Sequence, residues 1–83
     1  MPELITFVVN GSPFQLSRRD VEARMAGVLP EPVRSHAVTI DGRRFPVKQV
    51  FERATGLDRL DFTSATARRH LAKLGFELAR EDG

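Results

Sequence analysis

Two Asx-Gly pairs, Asn10-Gly11 and Asp41-Gly42, constrain this chain more than any other feature of it. Such a pair between apolar runs signals a type I′ hairpin turn, because both central residues must adopt positive φ. Ahead of the first pair, Ile5, Phe7 and Val9 alternate with Thr6 and Val8; behind it, Phe14 and Leu16 supply a return strand. Val38 and Ile40 lead into the second pair, and Phe45 lies three residues past Gly42, as Phe14 does past Gly11. Each hairpin then enters a helix. Ser17 and Asp20 form a capping arrangement, followed by an apolar stripe of Val21, Met25, Val28 and Leu29 that Pro30 and Pro32 end. Pro46 suits the first position of the next helix. Val47, Val50, Phe51 and Ala54 form its buried face, and Gly56 stops it.

The second unit continues through a loop, residues 57–62, from which Leu60 and Phe62 should tuck inward. Thr63 or Ser64 caps a helix over 64–74 with Ala67, Leu71 and Leu74 on its inner face, and Gly75 ends it. Phe76 and Leu78 then alternate inward as a strand, and the residues from Ala79 onward read as frayed. The order is ββα-ββααβ, an α+β fold in two β-hairpin/helix units with a winged-helix-like second half. Residues 1–83 read as a single small domain: a first unit over 1–30, a Pro-containing linker over 31–36, a second unit over 37–79 and a tail over 80–83. The two units resemble an internal duplication, although shared turn chemistry alone would produce the same match.

With 83 residues, the core is near the lower limit for independent folding. There is no Cys, so disulfides, thiolate chemistry and Cys-ligated zinc are excluded. No apolar run reaches the roughly 20 residues of a membrane span. The first residues lack the basic segment of a signal peptide, so the expected compartment is the cytoplasm. All six aromatic residues are Phe and sit in apolar patterns, which makes them core rather than platforms for stacking on bases.

Charge is unevenly distributed. Residues 42–80 hold nine Lys/Arg against four acids, whereas residues 1–41 hold four against five. A near-neutral total thus conceals a local basic surface suited to a polyanion. Opposite Leu71 on the 64–74 helix lie Thr66, Arg69 and Lys73, with His70 beside them and Arg68 at the margin. That face is cationic and free of acids. A solvated helix face is often charged without binding anything, but other cations add to this one. Arg43 and Arg44 flank the second turn, and Lys48 stands in the first turn of a helix, where the macrodipole disfavours a cation. Lys48 is either there for a ligand or paired with Glu52 at i+4. Arg18 and Arg19, in the first helix, are offset by Asp20 and Glu22.

Residues 38–78 resemble the N-terminal head module of McrA-like, modification-dependent HNH endonucleases of actinobacteria. The resemblance rests on Asp41, Gly42, Arg43, Phe45, Lys48 and Val50, then Asp61 and Phe62, then Leu71, Leu74, Gly75 and Phe76. It implies an accessory, DNA-associated module rather than a catalytic one. The nuclease motif is absent, Thr63-Ser64 stands where those modules carry Gly-Gly, and residues 1–35 have no counterpart. These departures suggest a free-standing form that binds without cutting.

No nucleotide-binding glycine motif or nucleophile elbow occurs. His36 and His70, the only histidines, are separated by two expected elements, so neither a metal site nor a cofactor is expected. The sequence therefore points to a non-catalytic binder of double-stranded DNA. The 64–74 helix or the start of the 46–55 helix faces the duplex, and the Asp41-Gly42 hairpin serves as a wing. Arg43, Arg44, Lys48, Arg69 and Lys73 are the candidate phosphate contacts; Thr66, Arg69 and His70 are the candidates for base edges. One module of this size binds weakly, which favours a homodimer. The alternative is a protein-interaction module, an adaptor or antitoxin-like partner, using exposed strand edges at 4–9 or 76–79.

Overall fold

Both Asx-Gly pairs turn the chain in the left-handed region, with φ of 50° and 79° at Asn10 and Gly11 and of 51° and 77° at Asp41 and Gly42. In the computed structural model, which describes residues 4–80, the order is the expected ββα-ββααβ of an α+β fold. Strands β1 (Leu4–Val9) and β2 (Ser12–Ser17) pair antiparallel with Val9 opposite Ser12 and Phe7 opposite Phe14. Phe7, Val9 and Leu16 are thereby turned into the core.

Helix α1 (Arg18–Met25) opens on a complete capping box. Ser17 Oγ accepts from the Asp20 amide at 3.1 Å, and the Ser17 amide donates to Asp20 Oδ2 at 2.9 Å. Those bonds hold the Asp20 carboxyl below its usual pKa. The helix stops earlier than the prolines suggested. Ala26 is extended and Gly27 left-handed at φ 76°, so the chain leaves the helix axis and Leu29 ends 78% exposed instead of extending the apolar stripe.

The linker is fastened rather than loose. Gln49 is 5% exposed; its Oε1 accepts from the Glu31 amide and its Nε2 donates to the Leu29 carbonyl, both at 3.0 Å. Gln49→Ala strands both backbone groups and should cost about 1–3 kcal/mol, read from urea unfolding.

The second sheet runs β4-β3-β5, all antiparallel. It comprises β3 (His36–Ile40), β4 (Arg43–Pro46) and β5 (Glu77–Arg80). Ala79 and Arg80 pair with Ala37 and His36, so the fraying expected from Ala79 onward does not begin there; residues 81–83 lie outside the described part. Helix α2 (Val47–Thr55) starts one residue late, because Pro46 still pairs with Ala37 and serves as the N-cap. In the following loop Phe62 is buried but Leu60 is 94% exposed. Asp58 Oδ1 accepts from the Leu60 amide at 2.9 Å and starts a short 3₁₀ turn that points Leu60 outward. Helix α3 (Ser64–Lys73) is capped by Thr63, whose hydroxyl accepts from the Thr66 amide at 3.2 Å.

One apolar cluster joins the two units, with Phe7, Val21 and Met25 packed together with Val38, Phe51 and Leu71. Polar ties cross the same boundary. Arg18 donates to the Gly75 carbonyl at 3.0 Å, its guanidinium 4.9 Å from the Phe76 ring centroid; Arg24 donates to the Ala54 carbonyl, and Asn10 to that of Asp61. Ala54 and Gly75 lie at helix C-termini, where carbonyls lack intrahelical partners and favour a cation.

Candidate nucleic-acid interface

The sequence-derived site residues do not all meet. Arg43 and Arg44 are both exposed, but they lie at the tip end of the β3–β4 hairpin, opposite Ile40 and Thr39. Arg43 lines a depression with Met25, Ala26, Gly27 and Val28 at the end of α1, and no residue of α3 is among its lining. The alternation of the strand turns Arg44 to the opposite face of the sheet from Arg43 and Phe45.

His70 is the clear correction. It is 5% exposed, with its ring 4.3 Å from that of Phe7 and 5.9 Å from that of Phe51, both stacked. It cannot reach a base edge. Ala67, His70, Leu71 and Leu74 fall at i, i+3, i+4 and i+7, so the same spacing that marks the inner face assigns His70 to it. Thr66 is half-buried, and its hydroxyl accepts from that of Thr63 at 3.1 Å. Arg69 and Lys73 are exposed on α3 as expected.

Lys48 does not pair with Glu52. Glu52 instead accepts from Arg59 Nε at 3.1 Å, and Lys48 Nζ lies 5.9 Å from the Phe62 ring centroid. Arg59 is also clamped by Glu31 through two bonds of 2.7 and 2.6 Å, which hold the Glu31 carboxyl below its ordinary pKa. Arg59 is therefore neutralised within the fold.

Two open depressions run side by side and share His36. One, of about 610 Å³, is lined by Arg34, Lys48, Arg59, Ser64 and the linker; the other, of about 570 Å³, by Arg68, Arg69, Ala72 and residues 78–80 of β5. Among the described residues, six Lys/Arg line this trough against one acid, Glu31, which Arg59 already holds. Arg68 Nε is buried without a hydrogen-bond partner. The local field also registers on His36, whose pKa is lowered by desolvation and then by Arg68 and Arg80.

Arg34, His36, Arg68 and Arg80 are the members that sequence reading passed over. Arg80 had a signal, since it follows Leu78 by two and so shares its side of the strand. Arg34, in the linker, had none. Among the described residues, no three His, Cys, Asp or Glu side chains lie together as a metal-binding group. No helix among them is long and apolar enough to cross a membrane. The trough offers guanidinium and ammonium donors around open space, the chemistry that holds phosphate.

A family model described as SCO5918-like matches residues 5–83. The chain belongs to the SCO5918-like family. No curated protein and no solved structure matches it. The match takes in both hairpin-helix units of this SCO5918-like chain, consistent with the core that they share.

Proposed function

We propose that this SCO5918-like protein is a non-catalytic DNA-binding protein, and that the duplex backbone lies along the trough between α3 and the open ends of β3 and β5. The observation that carries this reading is that Arg34, Lys48, Arg68 and Arg69 line two adjoining depressions in which Glu31, the one acid among the described lining residues, is already bonded to Arg59. Arg43 and Arg44 are left out of the contact, and so is the hairpin as a wing. The resemblance of residues 38–78 to McrA-like head modules points to the same class of ligand. Bound to DNA, the protein would reside on the nucleoid.

Phosphate contacts release counterions, so affinity should fall with salt at a log–log slope of about −0.9 per contact, or roughly −3 to −4 for four cations. Anisotropy titration of a labelled duplex at several salt concentrations measures that slope. Arg69→Ala should reduce its magnitude by about one, whereas Arg43→Ala should leave it unchanged. Binding that ignores salt, or an Arg43→Ala loss equal to that of Arg69→Ala, would remove the proposal.

A further inference from the structure

In a two-residue I′ hairpin the pair flanking the turn exchanges both backbone hydrogen bonds, and every second pair after it does likewise. Val9 with Ser12, Phe7 with Phe14 and Ile5 with Leu16 are those pairs. The N–H and C=O groups of Leu4, Thr6 and Val8 on β1, and of Pro13, Gln15 and Ser17 on β2, therefore point away from the ribbon. The capping box agrees with this phase, because the Ser17 amide is bonded to Asp20 and not to β1.

The two edges of the ribbon are not equivalent. On β2, Pro13 has no N–H and that of Ser17 is occupied, which leaves Gln15 as the one free outward donor. On β1 all three outward donors and acceptors remain, and no strand among the described residues pairs with them. The other edge strands carry the usual protection against pairing: β4 has Arg43, Arg44 and Pro46, and β5 is short with Glu77 and Arg80 at its ends. Strand β1, Leu4-Ile5-Thr6-Phe7-Val8-Val9, has no charge, no proline and no glycine. Its outward side chains include Leu4 at 56% and Val8 at 63% exposure.

We infer that β1 pairs antiparallel with β1 of a second copy, joining the two ribbons into one four-stranded sheet. The strand is self-complementary about Thr6. With Thr6 on the two-fold axis, Leu4 of each copy lies opposite Val8 of the other, and Thr6 opposite Thr6. Every cross-strand pair on that face is then apolar or Thr–Thr, with no like charges opposed. The three outward residues on each strand exchange about six backbone hydrogen bonds across the seam. This surface is separate from the cationic trough and does not depend on the DNA reading.

Sedimentation velocity over a range of concentrations tests the inference. Wild type should show a monomer–dimer equilibrium, and amide exchange at Thr6 and Val8 should slow as concentration rises. Thr6→Lys places like charges on the axis and should weaken the dimer on the order of tenfold to a hundredfold with an unchanged far-UV CD spectrum. Mixing Thr6→Lys with Thr6→Glu should restore association. Should Thr6→Lys fail to fold, Val8→Lys on the same exposed face sets an unpaired charge against Leu4 of the other copy and should weaken the dimer likewise. Wild type that stays monomeric to about 1 mM, or a Thr6→Lys dimer as tight as wild type, overturns the inference.

Discussion

Phe51→Ala should remove a large share of the protein's stability at neutral pH. Phe51 is 1% exposed and stands where β1, α2, α3 and the loop before α3 meet. Its ring meets that of Phe62 edge-on at 4.8 Å and lies 5.8 Å from that of Phe7. Truncation removes these contacts and opens a cavity walled by β1, α2, α3 and the loop before α3, which cannot all close on it, at a cost of about 3–5 kcal/mol. A chain of this size has roughly 4–12 kcal/mol of total stability, so the loss takes much or all of it. Urea unfolding followed by circular dichroism should show the midpoint falling by at least about 2 M. Leu60→Ala is the control. At 94% exposure it should change stability by no more than about 0.5 kcal/mol. A Phe51→Ala midpoint within experimental error of wild type would mean that the two units do not share this core.

Local chemistry was legible in the sequence wherever it decides the outcome. Both Asx-Gly turns, the Ser17–Asp20 capping box and the Gly56 stop need only their own neighbours, and each forms as read. What could not be read depends on groups distant along the chain. Ala79 and Arg80 read as frayed because nothing nearby orders them; β3, some forty residues earlier, does so by pairing. Arg59 counts as one positive charge in the sequence, yet Glu31 and Glu52 cancel it in the fold. Arg18 read as a surface charge offset by its neighbours, but it and Arg24 hold the second unit through the carbonyls of Gly75 and Ala54. Sequence reading placed candidate phosphate contacts on α3, and Arg69 is exposed there beside the open trough. Its other wall is built from the linker and the end of β5, which only tertiary structure brings alongside. Long-range pairing thus separates cations that hold the fold together from cations left exposed.

His70→Phe should stabilise the protein and remove much of its sensitivity to mild acid. The imidazole is buried and stacked on Phe7, and neither ring nitrogen has a hydrogen-bond partner. Desolvation lowers its pKa, and the neighbouring Arg69 and Lys73 lower it further. In the unfolded chain the same group titrates near 6.5. Above that value both states hold it neutral and the stability is fully present. As the pH falls below about 6.5 the unfolded chain takes up a proton that the folded chain refuses, so stability declines by up to about 1.4 kcal/mol per pH unit until the folded pKa is reached. His36, whose pKa is lowered as well, adds a slope of the same sign. The carboxylates that the fold favours, Asp20 and Glu31, act only at lower pH, below their ordinary range. Phenylalanine keeps an aromatic plane against Phe7 while removing two unpartnered nitrogens, a gain of roughly 1 kcal/mol at pH 7 after some loss to its greater bulk. The gain should widen steadily from pH 7 to pH 5, because the wild-type curve falls there and the variant's falls only through His36. Urea midpoints at pH 5, 6, 7 and 8 for both proteins read this directly. Parallel curves across that range would show that His70 gains a proton partner in the folded protein, and the buried, unpartnered imidazole would have to be abandoned.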